Sequence, residues 1–276
     1  MDIRALMQQG RERLILGNIE SASLEASLFL THLTGYSRTK LIAHDDEVVS
    51  TKLKDDYFSL IEKRLQGIPC AYLLGYKDFW GLKLKVNSYT LIPRADTETL
   101  VEEALKLNPK KVLDLGTGTG AIILALKSEI KDLQAYACDV SYGALAIASE
   151  NAKNLNLDVH FYQSSWFDNI PLQQFDVIVS NPPYIEEDDP HLYQNGLNFE
   201  PQTALVSGKD GLDDIRLIAT KAKDYLKAGG YLLLEHGYNQ GEKVREILSV
   251  NGFSEIKTVK DLGDNERVTL GCLYKI

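Results

Sequence analysis

The chain has 276 residues, enough for one large domain or two modest ones. Hydrophobic residues make up 44% and charged residues 25%, an ordinary globular balance, and no apolar run approaches the roughly 20 residues that a membrane span needs. A formal net charge of −9 argues against non-specific nucleic-acid binding, which relies on Lys and Arg to neutralise phosphates, though not against a local basic patch.

Residues 1–75 read as a small bundle of four or five helices. Ile3, Leu6, Met7 and Leu14 share one helical face and stop at Gly17-Asn18. Leu24, Leu28 and Phe29 continue the pattern to Gly35. Leu53, Tyr57, Leu60, Ile61 and Leu65 form another stripe, ended by Gly67 and Pro69. This part holds no glycine-rich loop and no cluster of titratable groups, so its expected role is packing and partner recognition. The N-terminus lacks a basic-then-apolar leader pattern. Cys70, Cys138 and Cys272 are too scattered for a C-x-x-C pair and suit a reducing compartment. The five histidines show no metal-ligand spacing, so neither a metal nor a disulfide is expected. A soluble, cytoplasmic protein is the reading.

Composition changes at Tyr76. Phe79 to Val86 alternates apolar and polar with a period of two, Asn87-Ser88 is turn chemistry, and Thr90-Leu91-Ile92 reads as a returning strand. Residues 76–93 are therefore expected as a β-hairpin linker. Thr97 or Asp96 then caps a helix carrying Leu100, Val101, Ala104 and Leu105.

From Lys111 onward, strand, turn and helix repeat. Strands are expected at Val112–Leu115, Ala135–Cys138, Val159–Tyr162, Val177–Val179 and Tyr231–Leu234. Helices are expected at Ala121–Leu126, Ser141–Leu155, Asp213–Leu226 and Val244–Val250. Such alternation means a parallel, doubly wound α/β sheet. The last two strands, Ile256–Val259 and Val268–Tyr274, are separated only by residues 260–267, too short a link for a helical crossover, so they should be antiparallel.

Two stretches carry chemistry. Asp114 to Ala121, with Gly116, Thr117, Gly118, Thr119 and Gly120, links the first of these strands to its helix and lets backbone approach a ligand. It also satisfies the dinucleotide fingerprint, with Asp139 near the distance expected for a ribose-binding acid. The loop alone leaves a nicotinamide enzyme and a methyltransferase equally open. The second stretch is Asn181-Pro182-Pro183-Tyr184, at the end of the fourth strand. Two prolines stop the ladder there, and an amide and an aromatic stand where ligands bind in open α/β sheets. With an antiparallel final strand and no evident hydride-transfer acid or base, this cradle favours a methyl donor.

Asn181-Pro182-Pro183-Tyr184 matches the motif of amino-methyltransferases, which use S-adenosylmethionine. The segments Leu91–Glu98, Asp114–Gly120, Asp139-Val140-Ser141, Ser180–Ile185, Phe199-Glu200-Pro201 and Asp264–Arg267 occur in order. With the helical N-terminal part they resemble the HemK-type release-factor glutamine methyltransferases over essentially the whole chain. Ala95 departs from the family's pattern, where proline is expected, and leaves that loop less rigid.

The resemblance implies a Rossmann-like class I methyltransferase domain at 94–276. It implies a substrate-recognition domain at 1–75 and a monomer working on release factors without direct nucleic-acid contact. The implied reaction is methylation of the side-chain amide of the glutamine in a Gly-Gly-Gln loop. Gly116 to Gly120, Asp139, Trp166 and Asn181 would hold the cofactor. Asn181, Pro182, Pro183 and Tyr184 would hold the amide, with Asn181 Oδ1 and the Pro182 carbonyl accepting its two N–H groups. A DNA or RNA amino-methyltransferase is the alternative use of the same cradle. Arg94 is read either as an entrance residue or as half of a surface ion pair. Glu200 is expected to shape the substrate loop, and Glu235-His236 to be a hydrogen-bonded structural pair.

Overall fold

The computed structural model describes residues 1–194 and 196–274. The chain divides into two compact units, Met1–Gly75 and Tyr76–Ile276. The first contains five helices: α1 (Ile3–Leu16), α2 (Ala22–Thr34), α3 (Arg38–Ala43), α4 (Thr51–Leu65) and α5 (Cys70–Leu74). Their limits follow from local chemistry. The Asp2 carboxylate caps α1 by accepting from Ala5 N, and Ser37 and Ser50 cap α3 and α4 in the same way. Gly35 and Gly75 end α2 and α5 in the left-handed conformation, at φ 70° and 78°. The fully buried face comprises Ile3, Leu6, Leu14, Ala26, Phe29, Leu30, Tyr57 and Ile61.

The second unit opens with a two-stranded antiparallel hairpin, β1 (Tyr76–Phe79) and β2 (Leu82–Lys85). This corrects the sequence expectation of one strand over Phe79–Val86 with a return at Thr90–Ile92. The turn lies at Trp80-Gly81, where both residues have positive φ (51° and 69°), the geometry of a tight two-residue hairpin. Only Gly81 advertises it; tryptophan is not a turn residue by propensity. The hairpin packs into this unit: Phe79 and Leu84 join its core, and Lys85 N donates to Asn151 Oδ1 at 2.7 Å.

The remaining elements are α6 (Glu98–Lys106), β3 (Lys111–Leu115), α7 (Ala121–Glu129), β4 (Gln134–Asp139), α8 (Tyr142–Leu155), β5 (His160–Gln163), β6 (Phe175–Ser180), α9 (Asp213–Tyr225), β7 (Leu226–Glu235), α10 (Gly241–Val250), β8 (Ser254–Lys260) and β9 (Glu266–Leu273). They form a seven-stranded sheet in the order β5-β4-β3-β6-β7-β9-β8. Five strands are parallel. β9 inserts between β7 and β8, antiparallel to both, as the short link at 260–267 requires. One boundary differs from expectation. Gly229-Gly230 does not end α9; it lies within β7, where the register jumps between Phe175↔Leu226 and Val177↔Tyr231 and Gly229 takes φ 79°.

Successive residues of the central strands feed opposite faces. Val112, Val177 and Val179 pack with α6 and α7 on one side, while Leu113, Leu115 and Ile178 pack with α9 and α10 on the other. The chain passes from β3 outward to β4 and later returns to β6 on the opposite flank. That reversal opens a crevice beyond the carboxyl ends of β3, β4 and β6, the place where ligands bind in such sheets.

Candidate active site

A cavity of about 450 Å³ occupies this crevice. β3 contributes Gly116 and Gly118, β4 contributes Asp139 and the following Val140 and Ser141, and the segment after β5 contributes Ser164, Ser165 and Trp166. Asn181 and Pro183 enter from β6. Tyr89, Thr90, Leu91, Pro201, Thr203, Ala204 and Asp214 complete the wall. Thus Gly116, Gly118, Asp139, Trp166, Asn181 and Pro183, all selected from the sequence, share one cavity. Thr117, Thr119, Gly120, Pro182 and Tyr184 do not line it.

The first three of these five shape the loop instead. The Thr117 hydroxyl donates to Asp114 Oδ2 at 2.6 Å, and its backbone N–H donates to the Cys138 carbonyl at 2.9 Å. The Thr119 carbonyl accepts from Asn151 Nδ2 at 2.9 Å, and Gly120 starts α7 at φ 83°. Gly116, at φ 71°, lies against the Trp166 ring: a Cβ there would meet the indole at 3.3 Å. Asp114 is fully buried, and burial pushes its carboxyl up to about 7 against the opposing Thr117 hydrogen bond.

Asp139 stands at the tip of β4. One carboxylate oxygen accepts from Gly118 N and the other from Ser141 N, each at 2.9 Å. These two N–H donors offset part of the burial that raises its pKa. Asp139 lines the cavity, and a carboxylate's paired acceptor oxygens suit it to the two hydroxyls of a ribose. Trp166 takes φ 49° and donates its indole N–H to Asp214 Oδ1 at 3.0 Å. Ser207 holds the other oxygen of Asp214 at 2.7 Å. The tryptophan is therefore braced with one face on the cavity rather than lost in the core.

Asn181 follows Ser180, whose hydroxyl donates to the Leu115 carbonyl at 2.7 Å and ties the ends of β3 and β6 together. Asn181 Nδ2 donates to Thr97 Oγ1 at 3.3 Å, which leaves Oδ1 available as an acceptor. Thr97 makes no helix-capping bond, contrary to the sequence expectation; the turn at Ala95–Thr97 buries it against Asn181 instead. The Tyr184 hydroxyl points away from the cavity, toward Glu235 Oε1 at 3.4 Å, and its carbonyl accepts from Gln240 Nε2 at 3.0 Å.

Further charged and titratable residues lie nearby. Arg94 forms an ion pair with Glu200, whose other oxygen accepts from Ile92 N at 2.9 Å. Glu200 is buried, so it ties the 92–94 segment to the 199–201 segment. Glu235 and His236 leave the end of β7 toward different partners. His236 Nε2 meets Thr269 Oγ1, and Nδ1 meets the Gly237 carbonyl, both at 2.8 Å. Burial pushes the Glu235 carboxyl up to about 7, opposed by Thr97, Arg267 and Tyr184.

A release factor glutamine methyltransferase from Haemophilus influenzae is 47% identical to this chain, over 91% of the chain and 92% of the relative. The chain belongs to that family. The relative from Escherichia coli K12 is 46% identical over 93% of the chain and 94% of its own length. The methyltransferase small domain model matches residues 93–197, and the PrmC N-terminal domain model matches residues 5–75. A methyltransferase from Pyrococcus furiosus shares the fold of the larger unit, with a TM-score of 0.54 and 18% identity over 71% of this chain and 90% of that one. Members of this methyltransferase class use S-adenosylmethionine, and the cavity fits it. Asp139 offers paired acceptors, the glycine loop offers close backbone approach, and Trp166 offers a flat apolar face for an adenine.

Asp114, Thr97, Asp214 and the Tyr89–Leu91 segment were not singled out from the sequence as site residues. Asp114 adjoins the glycine loop and had a positional signal. Thr97 lay within the Leu91–Glu98 segment that carries the resemblance but was read as a cap, and Asp214 reaches the site only through tertiary folding and had no signal.

Proposed function

We propose that this chain transfers the methyl group of S-adenosylmethionine to the side-chain amide nitrogen of the glutamine in the Gly-Gly-Gln loop of peptide-chain release factors. The observation that carries this reading is Asn181, whose Nδ2 is engaged by Thr97 and which lines the cavity shared with Asp139 and the glycine loop. Bound there, the cofactor supplies an electrophilic methyl group on a positively charged sulfur. The chain's own residues do the rest.

An amide nitrogen is a poor nucleophile because its lone pair is delocalised into the carbonyl. We assign one N–H of the target amide to Asn181 Oδ1 and the other to the carbonyl of Pro182, which lies between the lining residues Asn181 and Pro183 and is fixed by two successive prolines. Both acceptors are neutral. They favour positive charge developing on nitrogen as its lone pair forms the new N–C bond, and the surplus proton then leaves to solvent. Much of the acceleration is positioning. Tyr184 holds the far side of the turn through Glu235 and Gln240, so its role is to fix the cradle rather than to touch the amide. We assign recognition of the release factor's surface to the helical unit. We place the reaction in the cytoplasm, with a monomeric enzyme and no direct nucleic-acid contact, in keeping with the net charge of −9.

The test is transfer of isotopically labelled methyl from S-adenosylmethionine to a purified release factor. Labelling should be lost when the glutamine of Gly-Gly-Gln is replaced. Equal labelling of both proteins would overturn the proposal.

A further inference from the structure

Trp166 is held at both ends. Its carbonyl accepts from Cys138 Sγ at 3.3 Å and from Ser164 Oγ at 2.9 Å, and its indole N–H donates to Asp214 Oδ1 at 3.0 Å. The residue takes φ 49°, a conformation that bulky side chains disfavour and that persists only where the surroundings enforce it. A Cβ at Gly116 would meet the six-membered part of the indole at 3.3 Å, so the ring lies against the glycine loop.

Asp214, in the first turn of α9, is itself fixed. Its Oδ2 accepts from the Ser207 hydroxyl at 2.7 Å, and that hydroxyl oxygen accepts from Asp214 N at 2.9 Å. Ser207 is buried, and its backbone N–H donates to the carbonyl of Ile185, the residue after Tyr184, at 3.0 Å. Trp166 and Asp214 both line the cavity.

We propose that Asp214 is a positioning residue that locks the Trp166 indole as the seat of the cofactor's adenine, with Ser207 anchoring it to the segment that leaves the Asn181–Tyr184 turn. The inference concerns cofactor binding and does not depend on which nitrogen receives the methyl group. An indole N–H only donates and an ionised carboxylate only accepts, so the bond admits one direction for the ring. The carboxylate makes it charge-assisted, stronger than a neutral acceptor would. A ring already set in its bound direction loses less freedom when a planar base stacks on it.

The experiment measures the Kd of S-adenosylmethionine by calorimetry, without acceptor. Asp214→Leu removes the acceptor and should raise Kd about tenfold, while Asp214→Asn, which keeps the volume and a neutral acceptor, should raise it about threefold. Ser207→Ala frees the carboxylate and should raise Kd in the same direction. Trp166→Phe keeps a flat ring but offers Asp214 no N–H. In that background Asp214→Leu and Asp214→Asn should each change Kd by less than about twofold. Losses that add instead would mean that Asp214 acts without Trp166, and would overturn the inference. The second readout is the Trp166 indole N–H, followed by ¹⁵N labelling of the cofactor-free protein. Trp80→Phe leaves Trp166 as the single tryptophan for this measurement. The indole proton should resonate downfield and exchange slowly with solvent, and Asp214→Leu or Asp214→Asn should move it upfield and speed its exchange. An indole signal indifferent to both Asp214 variants, or a Kd for Asp214→Leu within about twofold of wild type, overturns the inference. Failure of methyl transfer to a release factor overturns the proposed function instead and leaves these binding measurements untouched.

Discussion

Replacing Asp139 with Asn removes one negative charge from the cavity and changes almost no volume. In the structure both carboxylate oxygens already accept backbone N–H groups, from Gly118 and Ser141 at 2.9 Å. An amide has one acceptor oxygen, so its NH₂ must face one of those N–H donors. The consequences are twofold. A ribose diol loses at least one charge-assisted hydrogen bond, and the other becomes neutral, a loss of about 2–3 kcal/mol. At 1.4 kcal/mol per tenfold, the Kd for S-adenosylmethionine should rise about 30- to 150-fold. One backbone N–H also loses its acceptor, which costs about 1–3 kcal/mol of folding stability and about 2–8 °C of melting temperature. Titration calorimetry reads the first effect and thermal unfolding the second, while turnover at saturating cofactor should change less than about threefold. A Kd within about twofold of wild type, with unchanged melting, would refute the assignment of Asp139 to the cofactor's ribose.

Asn181→Ala should lower kcat about a hundredfold or more while leaving the cofactor Kd within about threefold, measured by steady-state kinetics and calorimetry. Gly116→Val places a β-branched side chain at φ 71°, with its Cβ 3.3 Å from the Trp166 ring, and should weaken cofactor binding about tenfold by closing the cavity mouth. Burial raises Asp114 and Glu235 from 3.8 and 4.5 to about 7, so the stability each contributes is complete below its unfolded value and is lost as pH rises through about 7. His236, kept neutral by burial, gives the opposite slope. The check is therefore differential: thermal unfolding of Asp114→Asn should lose less stability than wild type across that window, and parallel curves would contradict the buried-acid reading.

The features most legible in the sequence were those that repeat or that lie consecutively. The parallel strands are apolar runs between turn residues, and the antiparallel end followed from the length of residues 260–267. Gly116, Gly118, Asp139 and Asn181 could be placed because strand ends in this fold converge on one crevice. The hairpin turn was misplaced because Trp80 takes a positive φ that its type disfavours, while Asn87-Ser88 offered better turn chemistry nearby. Thr97 was read as a cap because capping is a local rule. Its actual partner, Asn181, is distant in sequence, and no local pattern encodes that contact. Tyr184 illustrates the same limit: its position marked it as part of the cradle, but the direction of its ring depends on Glu235 at the end of a different strand.

The most direct test of the central claim is where the methyl group ends up. After reaction with S-adenosylmethionine, fragmentation mass spectrometry of the release factor should place a single added methyl on the side-chain nitrogen of the glutamine in Gly-Gly-Gln, and Asn181→Ala should leave that peptide unmodified. A methyl group on another residue of the release factor, or full modification by Asn181→Ala, would contradict the account.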